Sequence, residues 1–183
     1  MNNIAGPLMP PHTLLFADAE ITDIQEFLAA VHAAADRLGA HIICINADRV
    51  AGRLHLKSAL THACRTWFVD KNPVARSFEM ELLLWIGATR QTSVAAGFGA
   101  QKGTMPLWVV VVPGGENAAD EIAHLPGISL YTVPPPSAEV SSAAKRSRLM
   151  HDFSITEREI ATVGAERLPE LVAERVALSA VYR

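Results

Sequence analysis

Apolar positions along this chain follow two different periods, and the switches between them mark out its elements. The run Thr13-Leu14-Leu15-Phe16-Ala17 predicts a first strand. Spacing of three and four then takes over at Ile24, Phe27, Leu28, Val31, Ala35 and Leu38, as in a helix with one buried stripe. Thr22 and Gln25 have the spacing of a capping box that opens this helix, and Gly39 ends it. His41-Ile42-Ile43-Cys44-Ile45 predicts a second strand. A helix over 51–68 follows, with Leu56, Ala59, Leu60, Ala63 and Trp67 inward, and Asn72-Pro73 breaks it. The next helix, near 76–88, is too apolar to face water on any side and so belongs in a core. It stops at Gly87 and exposes Thr89, Arg90 and Gln91, and a short second helix runs into Gly97-Phe98-Gly99.

Leu107-Trp108-Val109-Val110-Val111-Val112 predicts a strand covered on both faces, because it does not alternate with polar residues. Pro113-Gly114-Gly115 ends it. A short helix near 117–124 and a fourth strand over 128–133 come next. Pro134-Pro135-Pro136-Ser137 reads as a stiff joint and not a domain linker, since both flanks are periodic. A helix near 139–150, a second capping box at Thr156 and Glu159, and a last helix with Pro169 near its start complete the chain. The expected fold is α/β, a mixed sheet of about four strands packed with helices. It forms a single domain over 1–183, with residues 1–11 as a loose N-terminal extension.

Composition narrows this picture. Half of the 183 residues are hydrophobic and the formal net charge is −3, as in a compact globular protein. The longest apolar runs break within about ten residues, short of the roughly 20 that cross a bilayer. The N-terminus has no basic stretch followed by a hydrophobic one, so no secretory signal is expected. Cys44 and Cys64 fall in a predicted strand and helix, as core residues of a reducing compartment, which points to the cytoplasm. Charge is uneven: residues 49–102 hold eight bases against three acids, a balance of +5, so the remainder carries −8. A basic region can bind a polyanion locally, because salt limits the reach of distant acids to about 8–10 Å.

Arg49, Arg53, Lys57, Thr61 and Arg65 recur every four residues and so form a ridge along one side of the second helix. Spacing alone points to a solvated face, and the lack of interleaved acids favours the alternative, an anion track, more than usual. His55 and His62 share a face, but no further ligand completes a zinc set. The glycines of Gly97-Phe98-Gly99-Ala100-Gln101-Lys102-Gly103 follow a helix and lead into a strand, the reverse of a phosphate loop, so they read as a left-handed helix cap. Glu79 and Glu81 lie about 200° apart around their helix and cannot act as a dyad; one of them is expected to neutralise Arg76 or Arg90. No nucleophile, base or ligand set meets the demands of catalysis, so neither an enzyme nor a cofactor is expected. The alternative is a small-anion or nucleotide-binding enzyme or sensor built on the Arg90/Gln91 turn.

Arg53-Leu54-His55-Leu56-Lys57-Ser58-Ala59-Leu60-Thr61-His62-Ala63, followed by Arg76-Ser77-Phe78-Glu79-Met80-Glu81-Leu82-Leu83-Leu84 and Ala88-Thr89-Arg90-Gln91, resembles the TPRKB family, the kinase-binding subunit of the KEOPS complex. Ile155-Thr156-Glu157-Arg158-Glu159 and Leu171-Val172-Ala173-Glu174-Arg175-Val176-Ala177-Leu178 look like its archaeal members, and the likeness spans about Leu14 to Tyr182. Pro134-Pro135-Pro136 departs from the family pattern. The resemblance implies a non-catalytic subunit that binds a small atypical kinase/ATPase. It also implies capture of the tRNA 3′ CCA end in support of threonylcarbamoyladenosine modification. On that reading Lys57, Arg76, Arg90, Gln91 and the backbone at Gly97 and Gly99 receive the unpaired RNA end. The last helix has more apolar residues than one inward stripe needs, at Leu168, Leu171, Val172, Val176, Leu178 and Val181, so Val172, Val176 and Leu178 are expected to meet the kinase. No membrane is expected to be involved.

Overall fold

The computed structural model describes residues 9–182. Four strands, β1 (Thr13–Ile21), β2 (His41–Asn46), β3 (Gly103–Val112) and β4 (Ile128–Leu130), form one sheet in the order β2-β3-β1-β4. All three pairings are antiparallel, where a mixed sheet was expected. The α/β class, the four strands and the packing with helices agree with the sequence. Among the described residues no helix is long and apolar enough to cross a membrane.

Side chains of β3 alternate between two cores. Trp108, Val110 and Val112 face one, and Leu107, Val109 and Val111 face the other, so the unbroken apolar run is covered on both sides as its composition implied. α1 (Ile24–Leu38) lies on the second side with α5 (Ala118–Ala123). The first side holds α2 (Gly52–Cys64), α3 (Phe78–Ile86) and α4 (Thr92–Ala96), together with α6 (Ala143–Asp152), α7 (Glu157–Val163) and α8 (Leu168–Ser179).

Several boundaries differ from expectation for local reasons. β1 runs four residues beyond the apolar stretch, because Ala17, Ala19 and Ile21 stay buried while Asp18 and Glu20 point out. α1 is capped by Asp23, whose carboxylate accepts from the Gln25 and Glu26 N–H groups, and not by a box at Thr22. The box at Thr156 and Glu159 is present with both bonds formed. α2 gives way at Arg65 to a π-helical turn over Arg65–Val69. The proline-rich joint is clamped, since Lys145 donates through Nζ to the Ser137 and Ala138 carbonyls.

Residues 1–8 of the expected N-terminal extension lie outside the described residues. Residues 9–11 are tied to the domain: Met9 packs against the larger core and the Pro11 carbonyl accepts from Gly114 N–H at 2.7 Å.

Candidate nucleic-acid interface

The Arg90–Gln91 turn owes its position to α3. Every residue of that helix except Glu79 and Met80 is buried. Its N-terminus is fixed by Ser77, whose hydroxyl accepts from Met80 N–H. Glu81 is fully buried and takes donors at 2.9 Å from the Val74 and Ala75 N–H groups. It also accepts at 3.0 Å from the Trp85 indole and at 3.2 Å from the Thr66 hydroxyl. A buried carboxylate with that many donors is stably held. The expectation that an acid of α3 pairs with Arg76 or Arg90 is replaced for Glu79 by a 2.6 Å contact to His41 Nδ1.

At the other end the chain turns sharply. Ala88 takes the left-handed conformation at φ 46°, directly after Gly87. A Cβ on Gly87 would come within 2.9 Å of the Phe98 ring, so the turn packs closely against the residue just past the end of α4. Thr89 Oγ1 accepts from Gln91 N–H, and the Gln91 carbonyl receives the Val94 and Ala95 N–H groups as α4 begins. Arg90, Gln91, Thr92 and Ser93 are exposed on this rigid base.

His55 pins α2 to the same place. Its Nδ1 accepts from Ala51 N–H at 3.1 Å and its Nε2 donates to the Ile86 carbonyl at 2.9 Å, which defines the tautomer. The ring is fully buried, and desolvation lowers its pKa to about 4, so it is neutral. Of the two histidines on one face of α2, His55 is thus a core fixture, and His62 stacks on Trp85 with ring centroids 4.6 Å apart. Among the described residues no group of three or more His, Cys, Asp or Glu side chains could hold a metal ion.

Arg49 is the largest departure from the expected ridge. It ends a 3-10 turn over Ala47–Arg49, ahead of α2, so the four-residue spacing does not carry it onto the exposed face. Its guanidinium lies 4.1 Å over the Phe98 ring and forks onto Asp152, with both nitrogens at 2.9 Å. It also donates to the Gly97 carbonyl at 2.8 Å. Arg49 therefore ties the end of α4 to the end of α6 and is not an anion contact. Arg53, Lys57 and Thr61 remain exposed on α2, as does Arg65 in the π-helical turn after it, where it pairs with Asp70.

Only part of the expected site comes together. Arg90 and Gln91 adjoin. Arg76 is exposed but precedes α3, while Arg90 follows it, and the nine residues of α3 alone span about 13 Å. Lys57 is turned about 200° around α2 from His55, which faces α3, so it points away from the turn. Gly97 and Gly99 are not left-handed, and their backbone is engaged. Gly97 gives its N–H to Val94 and its carbonyl to Arg49, and Gly99 is buried and bridges Ile45. Gly97 thus has both backbone groups engaged, and Gly99 is buried. Val172 and Val176 are fully buried, so they cannot meet a partner, whereas Leu178 is 47% exposed.

Beside the turn lies a hollow of about 520 Å³, lined by Gly87, Ala88, Asp152, Phe153, Ser154, Arg175, Leu178, Ser179 and Val181. Ser154 matches Ala88 in taking a left-handed conformation at φ 50°. Arg175 pairs with Glu159. Three segments distant in sequence build this wall, and no local pattern announces it. The one signal was the apolar excess of the last helix, of which Leu178 and Val181 stand at the rim. No protein-family model matches the chain, and no curated protein matches it at a significant level.

Proposed function

We propose that this chain is a non-catalytic subunit that holds the unpaired 3′ end of tRNA and docks a small atypical kinase/ATPase, in support of threonylcarbamoyladenosine formation. The observation that carries the RNA half is the Arg90–Gln91 turn, exposed on a base fixed by α3, His55 and Arg49 and bordered by the hollow. A guanidinium stacks on a base or forks onto a phosphate, a glutamine reads a base edge, and preset positions lower the ordering cost. The resemblance through Ala88-Thr89-Arg90-Gln91 supplies the identity of the RNA. For the kinase, Leu178 and Val181 form an exposed apolar pair on the last helix and its following turn, in place of the buried valines. Chemistry is left to the partners. His55 is buried with both ring nitrogens engaged, so it does not stand ready as a general base.

Titration of intact tRNA against tRNA trimmed of its terminal CCA tests the reading. Intact tRNA binds more tightly, and Arg90→Ala removes roughly 1–3 kcal/mol of that preference, the usual size of a bidentate or stacking contact. Equal affinity for both RNAs refutes the 3′-end assignment. Tight binding of free nucleotide in its place, or ATP turnover by the protein freed of kinase, would support a small-ligand enzyme or sensor. Leu178→Asp abolishes co-purification with the kinase if the apolar pair is the dock.

A further inference from the structure

The edge strand β2 carries an unfinished backbone ladder. In its antiparallel pairing with β3, alternate residues turn N–H and C=O toward β3 and the rest turn them outward. At one end the chain fills the outward positions itself. Asn46 N–H donates to the Phe98 carbonyl at 2.8 Å, Ala100 N–H donates to the Cys44 carbonyl at 3.0 Å, and Ile45 faces Gly99 antiparallel between them. The same alternation turns outward the N–H and C=O of Ile42 and the N–H of Cys44. Among the described residues these three groups have no backbone partner.

They lie on the floor of a groove of about 320 Å³ between α1 and α3, which the 99–101 segment closes at one end. Leu28 and His32 stand on the α1 wall, and Glu79, Met80 and Leu83 on the α3 wall. Among the described residues Glu79 is the one Asp, Glu, Lys or Arg that lines it. Partial burial raises its pKa, but hydrogen bonds from its own N–H, His41 and Ser77 outweigh that and leave it below the usual carboxylate value. The groove thus combines apolar walls, one fixed negative charge and a repeating backbone pattern of donor, acceptor, donor. A small ligand matches the first two features, and only an extended chain matches all three. Ile42 and Ile43 are 4% and 3% exposed, so the strand is too recessed for the equally recessed strand of a second copy to reach.

We propose that β2 accepts an extended peptide from another protein as a fifth strand. Its alternate side chains are apolar and turned to α1, and a lysine or arginine between them is turned to Glu79. The binding mode is the one residues 98–100 already use at the Asn46 end. The proposal is independent of the RNA reading, whose turn lies at the far end of α3.

The capped pentapeptide Val-Lys-Val-Leu-Val is a suitable probe, with two versions N-methylated at alternate amides, one in each phase. Methylation in the phase that faces β2 removes ladder hydrogen bonds, at roughly threefold to tenfold in affinity for each; the other phase leaves binding intact. Hydrogen exchange at the Ile42 and Cys44 amides slows on binding. Replacing the peptide lysine by glutamate abolishes binding, and Glu79→Gln weakens the parent peptide roughly two- to fivefold, as for a partly exposed ion pair. Equal binding of both methylated phases, unchanged exchange at Ile42 and Cys44, or no binding at millimolar peptide overturns the proposal. Protection of the same amides by self-association without peptide assigns the edge to a second copy and overturns it equally.

Discussion

The two faces of the sheet are built on different principles. Under α1 and α5 the core is apolar throughout, with Phe27, Val31, Val109 and Ile122 meeting across it. Under α2, α3 and α8 the apolar packing is interrupted by polar fixtures: the buried His55 between Ala51 and Ile86, the buried Glu81 under the loop at 74–75, and the half-buried Arg49 between Asp152 and Gly97. Apolar contacts are non-directional, so they stabilise without fixing one register to within an ångström, whereas hydrogen bonds in a low-dielectric interior specify partners. The polar fixtures gather on the side that carries the exposed Arg90–Gln91 turn. Stability and placement are thus supplied by different parts of one small domain.

The strongest test of that division is a cavity on the apolar face. Phe27→Ala is expected to lower unfolding free energy by about 3–5 kcal/mol, as for buried aromatics generally. RNA affinity of the folded fraction should be unchanged. Urea denaturation beside tRNA titration reads both, and loss of affinity in step with stability would break the comparison.

Acid probes the polar face next. His55 is neutral when folded, with a pKa lowered to about 4, against an ordinary value of 6.5 in the unfolded chain. Its contribution is complete above pH 6.5. As pH falls below that, the unfolded chain takes up the proton first, and about 3 kcal/mol is lost by the time pH 4 is reached. Glu79, whose pKa is lowered, adds its own loss only below the ordinary carboxylate range. His55→Leu should remove the step between pH 6.5 and 4 while lowering stability at neutral pH. An unaltered acid profile in that variant would show that the step belongs elsewhere.

Arg49→Lys sharpens the comparison further. Lysine keeps the charge but cannot fork onto Asp152 and reach Gly97 at once. Roughly 1–2 kcal/mol of stability should be lost, with faster hydrogen exchange at the Gly97–Gly99 amides and a smaller preference for intact tRNA. Stability loss without any change at the RNA site would make Arg49 a core residue only. The smallest effect is expected at Lys57→Ala, within about 0.5 kcal/mol of wild type in stability, visible mainly as a flatter salt dependence of RNA binding.

How much of this was legible in sequence depends on whether the cause was local. α3 is apolar on every side, so its burial and the exposure of Arg90 and Gln91 after it could be read directly. The Thr156 box is a matter of four consecutive residues and is present as read. Arg49 failed because a spacing argument assumes one continuous helix, and a 3-10 turn intervenes before Gly52. Its partner Asp152 is 103 positions away, beyond any local pattern. Val172 and Val176 were assigned to a partner because the apolar excess of the last helix was counted without knowing that α2 and α3 would crowd beneath it. The antiparallel sense of the sheet was likewise hidden, since strand direction follows from the path of long connections and not from the residues within strands.

The strand order has a consequence for how the protein is made. β1 and β2 do not pair with each other; β3 lies between them and is translated more than fifty residues after Asn46. A ribosome-bound chain that has just released α1 and β2 therefore holds two apolar strands whose common neighbour does not yet exist. The sheet can close only once Val112 is free of the exit tunnel, and until then the apolar sides of β1, β2 and α1 have only each other, the helices α2 to α4 that follow them, and solvent. Slow, late closure through a central strand of high sequence separation is the expected rate-limiting event.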